Sequence, residues 1–426
     1  MHLSDIHFRI TEIGTAQDPN FHLRNELVRD VRSRCANLGP PDAIIVSGDV
    51  AFGGGPEEYE FATEWLSELC RQCGGALETV FVVPGNHDVV REIAGRNLVQ
   101  LIHREIKAAA DPGSEIARQM RDADARRLLY ESLDNYNGFA LQFFCDVLPP
   151  DRTRAVRELR LNDGSVLRLW GLNTAFVSSQ HDKQGSLFVD PASLQITRQD
   201  GVVNLVVAHH HLSWLGQARQ FEDHLNDVAP VQIFGHVHKN RIEMNRDFMR
   251  LTASAANPDR NEAGWEPGYN LLELSVDGAP AKRKLRLRAH VRVWQTAPGS
   301  FQAKMDRDAA VFEHSIDIEN WAPATDLASD PVMAVTACEN QFAAAQATFT
   351  TPIDGGPEMN TLRDVGLCFY RLSFSKKAEI AGRLELFEDD DIRQPDYERF
   401  RRVFMRAYER GKLGELAEAV RAAEQG

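Results

Sequence analysis

A chain of 426 residues with 43% hydrophobic content has the size of two or three domains and the composition of an ordinary folded protein. No apolar run reaches the ~20 residues needed to span a bilayer. The opening Met1-His2-Leu3-Ser4-Asp5 shows neither a basic segment nor an apolar signal core, so a cytoplasmic protein without a membrane partner is expected. The net charge of −14 excludes a broadly basic nucleic-acid-binding surface, although a local basic strip remains compatible with it. Of six scattered cysteines, Cys70 and Cys73 form a CxxC inside an amphipathic helical pattern. Without a second pair they read as reduced core thiols rather than a zinc site.

Residues 1–8 read as a very short strand ending in Asp5 and His7, which alternation places on one side. Apolar residues at helical spacing follow over 20–38, until Gly39-Pro40-Pro41 stops the helix. The β-branched run Ala43-Ile44-Ile45-Val46-Ser47 is a buried strand that delivers Gly48-Asp49. Pro56 suits a first helical turn, and that helix runs to Cys73 before Gly74. The next strand, Thr79 to Val83, ends in Pro84-Gly85-Asn86-His87-Asp88. Such a strand–helix–strand series predicts an α/β fold whose ligands gather at the carboxyl ends of the strands.

From about 91 to 160 Arg, Ala, Leu and Glu dominate, with helical periodicity in 92–109, 114–130 and 131–147; a helical insertion is expected. It would either cap one side of the site or pack without touching substrate. Strands resume at Val166–Leu172 and Val202–Ala208, the latter running into His209-His210-His211, and at Val231–Phe234, which runs into Gly235-His236-Val237-His238. Residues 241–296 alternate like antiparallel strands, and a first domain closes near 320. Residues 321–358 have the Ala, Thr, Pro, Asp and Gly content of a linker. From 359 to 426 helical patterning returns over 376–387, 397–410 and 413–423, with Ser375 as an N-cap, as in a small helical module.

Ligand-type residues thus stand at five strand ends: Asp5 and His7; Asp49; Asn86 and His87; His209; His236 and His238. Taken singly, Asp5, Asp49 and Asn86 could cap helices, and His236 and His238 could be surface residues of a turn. Together they form a metal site. Carboxylate and amide oxygens mixed with imidazoles suit Mn²⁺, with Fe or Zn²⁺ as alternatives, better than Ca²⁺. One carboxylate shared between two ions would polarise a phosphoryl group and ionise a bridging water.

DxH, GD, GNHD, a strand ending in HH, and GHxH, in that order, resemble the calcineurin-like metallophosphoesterase superfamily over roughly residues 1–290, the insertion excepted. The resemblance implies a central two-sheet β-sandwich flanked by helices, in a catalytic domain of residues 1–320. It implies that Asp5, His7, Asp49 and His238 hold one ion and that Asp49, Asn86, His209 and His236 hold the other. His87 resembles a histidine that contacts the phosphate beside Asn86 and protonates the leaving oxygen, with Asp88 orienting its ring. His211 stands where the family often has proline. His210 either touches substrate or packs against the ligands. Only Leu3 precedes DxH, where family members carry several apolar residues.

The implied activity is phosphoester hydrolysis by a hydroxide bridging two divalent ions, with a phosphodiester, nucleic acid included, as the expected substrate. Lys282, Lys284, Arg286 and Arg288 alternate with Leu285, Leu287 and Ala289, and would either track a nucleic-acid backbone or protect an edge strand. The segment Ser375 to Ala423 resembles small effector-associated adaptor domains of bacterial defence and signalling systems. It implies docking to a protein partner or a second copy through residues 359–426. A nuclease effector or docking protein regulated through that module is the alternative reading.

Overall fold

The computed structural model describes residues 1–260, 264–323 and 362–425. The first sheet begins with β1 (His2–Leu3), β2 (Ile44–Val46) and β3 (Val80–Val82), which run parallel because helices α1 (Phe21–Leu38) and α2 (Pro56–Cys73) carry the chain back between them. These strands are buried throughout, which is why their sequences read as unbroken apolar runs. A second sheet is built from β4 (Arg154–Arg160), β5 (Val166–Leu172), β6 (Val202–Ala208), β7 (Val231–Phe234), β8 (Arg241–Met244) and β9 (Met249–Thr252), in the order β4-β5-β6-β7-β9-β8. Its central strands β5, β6, β7 and β9 are parallel. The chain then returns to the first sheet with β10 (Gly268–Asp277), β11 (Lys284–Thr296), β12 (Gly299–Ala303) and β13 (Phe312–Asp317). That sheet has the order β12-β11-β10-β1-β2-β3, with β13 also paired to β11.

The two mixed sheets pack face to face, and helices cover their outer sides. Leu23, Leu27 and Val31 of α1 and Ala62, Leu66 and Leu69 of α2 join one continuous core with the first sheet. On the far side Trp170, Leu172, Val206 and Ala208 pack against Phe221 and Leu225 of helix α8 (Ala218–Val228). Cys70 and Cys73 are free thiols in the core. No helix among the described residues is long and apolar enough to cross a membrane.

The insertion is shorter and more broken than the periodicity suggests. It comprises α3 (Arg91–Ala94), α4 (Asn97–Ala108), α5 (Pro112–Arg121), α6 (Ala123–Tyr130) and α7 (Asp134–Ala140). Asp111 and Asp122 accept hydrogen bonds from backbone amides and restart the chain as new helices. Residues 154–160, which fall in the range given to the helical insertion, form strand β4: Arg154-Ala-Val-Arg-Glu-Leu-Arg alternates, and β5 pairs with it along its length.

After residue 361 come α9 (Leu362–Arg371), α10 (Phe374–Arg383), α11 (Asp396–Glu409) and α12 (Leu413–Gln425). Ser373, not Ser375, caps α10 by accepting from the Lys376 amide. These helices have their own apolar core around Phe369, Phe400, Phe404 and Leu416. They also touch the insertion. Leu141 belongs to their core, Arg152 pairs with Glu398 at 2.5 Å, and Arg401 pairs with Asp146 at 3.1 Å. The segment expected as a linker, 321–358, falls almost wholly outside the described residues.

The basic strip lies on β11, which is flanked by β10 and β13 and so is not an edge. Lys284 meets Asp317 at 3.2 Å, Arg288 meets Glu273 at 2.9 Å and Glu313 at 3.0 Å, and Arg286 lies 3.6 Å from Glu313. Three of the four cations face acids supplied by the neighbouring strands.

Candidate metal centre

The carboxyl ends of β1, β2 and β3 in one sheet and of β6 and β7 in the other meet at one edge of the sandwich. Each strand passes its ligand-type residues into the turn that follows. Asp5, His7, Asp49, His236 and His238 all have left-handed backbone, with φ of 52°, 51°, 54°, 67° and 52°. For non-glycine residues that conformation costs roughly 1 kcal/mol or more, and it clusters where function fixes a side chain's direction. Packing overrides the cost: the Asp5 amide donates to Gly48 O and the His7 amide to Asp49 O, both at 3.0 Å. Two glycines are demanded by the crowding. A Cβ on Gly85 would lie 2.1 Å from Asp49 Oδ1, and one on Gly48, at φ 96°, would lie 2.5 Å from His209 Nδ1.

At the centre is Asp49, about 1% exposed. Its Oδ2 stands 3.3 Å from His7 Nε2 and 3.1 Å from His209 Nε2, while Oδ1 accepts from the His87 amide at 2.8 Å. Asp5, fully buried, holds Oδ1 3.2 Å from His238 Nε2 and accepts from the His236 amide through Oδ2 at 3.1 Å. Ser4 Oγ also donates to Asp5 Oδ2. Donor atoms of Asp5, His7 and His238 converge within 4.8 Å, as do those of Asp5, Asp49 and His209 and those of His209, His210 and His236. Asn86 Oδ1 lies 3.2 Å from His209 Nε2.

Hydrogen bonds select the ring nitrogen each histidine presents. His209 Nδ1 is 2.8 Å from Ser47 O, and a carbonyl only accepts, so Nδ1 carries the proton and Nε2 is free for a ligand role. His87 is fixed likewise: Nδ1 donates to Phe52 O at 2.9 Å, and the ring stacks on Phe52 at 4.7 Å. Burial opposes the charged form of Asp49, but His209, through its charge and a hydrogen bond, holds the carboxyl well below its usual range. Burial likewise disfavours a charged His209, yet Asp49 and Asp5 outweigh it and lift the imidazole to about 9. His236 is pushed down to about 4 by burial and by neighbouring His209.

Two assignments change. The Asp88 carboxylate, fully buried, does not orient the His87 ring. It accepts from the amides of Asp49 at 2.9 Å, Ala51 at 3.0 Å and Gly85 at 2.9 Å, and from the Tyr59 hydroxyl at 3.0 Å. It ties the turn after β2 to the turn after β3, leaving Phe52 O to orient His87. Burial, then the Asp49 charge, pushes Asp88 up to about 7 against those amide donors. His210 is fully buried, with Nδ1 2.8 Å from Thr174 Oγ1 and Nε2 3.1 Å from Asn86 Oδ1. It packs against the ligands and offers no surface to a substrate. Thr174, Phe52 and Tyr59 were missed by the sequence reading. Only Thr174 carried a signal, standing two residues past the end of β5 at the edge where the other ligands gather.

Two buried carboxylates, whose ion-pair partners among the described residues are histidines alone, form with them a donor set that a metal ion would complete. The mixed oxygen and imidazole donors fit divalent transition ions. The two-sheet sandwich gathers these donors at one edge, at the ends of its strands. The chain belongs to the calcineurin-like phosphoesterases, whose family model matches residues 1–240. A second model, the GTPase-associated adaptor domain, matches residues 361–422.

The chain is 21% identical over 299 residues to the uncharacterized metallophosphoesterase-like protein YydB of Bacillus subtilis, covering 65% of this chain and 56% of that protein. It is 38% identical over 89 residues to glycerophosphodiester phosphodiesterase GpdQ of Enterobacter lignolyticus, covering 20% and 28%. The chain therefore spans little more than half of one curated relative and less of the other. Among solved structures, purple acid phosphatase PPD1 of yellow lupin matches with 12% identity over 77% of this chain and 56% of its own, at a TM-score of 0.36. A conserved uncharacterized protein of Streptococcus pneumoniae matches with 14% identity over 74% and 95%, at a TM-score of 0.27.

Proposed function

We propose that the protein hydrolyses phosphodiesters with two divalent ions, Mn²⁺ first among them, and that Asp49 is shared between the ions. The observation that carries this reading is the position of Asp49 Oδ2, between His7 Nε2 and His209 Nε2. Asp5, His7 and His238 complete one set of donors; Asn86, His209 and His236 complete the other. Bound there, the ions supply Lewis acidity toward a phosphoryl oxygen and an ionised water as nucleophile.

The chain's own groups do the rest. Asp88 locks the two turns so that Asp49 and Asn86 keep their relative positions. His87, with Nδ1–H held by Phe52 O, turns Nε2 toward the site and in its protonated form gives a proton to the leaving oxygen. Burial lowers its proton affinity, which eases that transfer. A positioned acid of this kind favours an ester whose leaving oxygen needs protonation, as the oxygens of alkyl diesters do. The partial match to a glycerophosphodiester phosphodiesterase points the same way.

The test is a panel with Mn²⁺: bis(p-nitrophenyl) phosphate, plasmid, single-stranded DNA and RNA, cyclic nucleotides and a monoester. Diester turnover well above monoester turnover is expected; hydrolysis of the monoester alone would overturn the diester assignment.

A second reading concerns the C-terminal helices. The adaptor-domain match and the exposure of Phe374, Phe387 and Ile392 support docking of a protein partner or a second copy. Light scattering on the full chain and on F374D/I392D measures this. An assembly lost in the variant is expected; an unchanged mass overturns self-association.

A further inference from the structure

Beside the metal centre, Phe52 carries two arginines. The Arg9 guanidinium carbon lies 3.9 Å from the centre of its ring, and that of Arg91 lies 5.9 Å away. The same ring stacks on His87, so both cations share a partner with the group assigned to the leaving oxygen. Neither is strongly compensated. Arg9 meets Glu12 and Asp259 only at 3.5 Å, in a partly exposed setting where such pairs contribute little. Arg91 has no carboxylate within ion-pair distance among the described residues; its Nη2 points at His87 Nδ1 from 3.2 Å. That nitrogen already donates its proton to Phe52 O and cannot accept, so the Arg91 N–H faces a donor. Two cations against one ring, one aimed at a group that cannot receive its hydrogen bond, form an arrangement an anion would complete.

We propose that Arg9 and Arg91 form a subsite for a second phosphate, carried by the substrate next to the phosphodiester being cleaved. The inference rests on the diesterase reading and adds a substrate class: diesters with an anionic neighbour, such as a nucleotide chain bearing a terminal phosphate. Both guanidinium groups lie over Phe52, and planar forked donors suit phosphate oxygens.

The test compares the deoxydinucleotides TpT and pTpT, which differ by one terminal 5′-phosphate, in the presence of Mn²⁺. For the unmutated protein, kcat/KM is expected to favour pTpT by ~10-fold or more, the worth of one or two charge-assisted hydrogen bonds. R9Q/R91Q should bring the ratio close to one. Both substrates are measured on each protein, so a general loss from misfolding cancels in the ratio. A ratio near one in the unmutated protein, or a preference retained by R9Q/R91Q, overturns the subsite. If neither dinucleotide nor bis(p-nitrophenyl) phosphate is turned over, the diesterase reading has failed. Calorimetric binding of pTpT against TpT to the Mn²⁺-loaded protein then decides the subsite by the same ratio.

Discussion

Charged residues gather in two places in this molecule, to opposite effect. On β11, Lys284, Arg286 and Arg288 stand in a row, and β10 and β13 bring Glu273, Glu313 and Asp317 against them. At the carboxyl edge of the two sheets, Asp5 and Asp49 are buried with histidines alone as ion-pair partners among the described residues. The strip closes its own charge and can remain as it is. The edge instead turns carboxylate and imidazole donors toward one another, a set that a metal ion would complete. A row of like charges becomes a binding surface only if the fold withholds the partners, and neighbouring strands withhold nothing from β11.

Four variants sharpen or break that contrast. Asp49→Asn removes the shared charge and should abolish nearly all turnover of bis(p-nitrophenyl) phosphate with Mn²⁺; activity within a few-fold of the unmutated protein would sink the bridging role. His87→Ala should slow hydrolysis of an alkyl diester by ~10²–10⁴-fold while metal content, read by elemental analysis, stays at the unmutated level. A fall in metal content would make His87 a ligand. Asp88→Ala leaves three buried amides and the Tyr59 hydroxyl without their acceptor, and should lower stability to denaturant by about 3 kcal/mol or more. A loss under about 1 kcal/mol would show that the turns hold without it. R286Q/R288Q should change DNA and small-diester turnover alike, each by less than about 2-fold, since exposed pairs contribute little. A selective loss of DNA cleavage would show that the strip is open to nucleic acid after all.

The same contrast explains what the sequence could convey. β5, β6 and β7 span the runs that announce them, because strands covered on both faces are dominated by apolar residues, with only Arg168, Asn204 and Gln232 as polar members. All the ligand-type residues at the strand ends were legible, since parallel order puts those ends on one edge. Direction was not. Asp88 follows His87 in the chain, but the turn points its carboxylate back to Asp49, Ala51 and Gly85, which spacing alone does not reveal. The left-handed backbone at Asp5, His7 and Asp49 likewise follows from tertiary packing. Residues 154–160 share the composition that set the insertion's bound near 160, and they form a strand because β5 lies alongside. Of the acids facing the basic strip, Glu273 comes from the preceding strand β10, whereas Glu313 and Asp317 come from β13, which β12 separates from β11 in the chain.

Asp49 is proposed to be shared by two ions. Electron paramagnetic resonance of the protein loaded with Mn²⁺ tests it most directly. Ions ~3.5–4 Å apart across one carboxylate should give an exchange-coupled spectrum at two Mn²⁺ per chain. An uncoupled six-line signal at full loading would contradict the account.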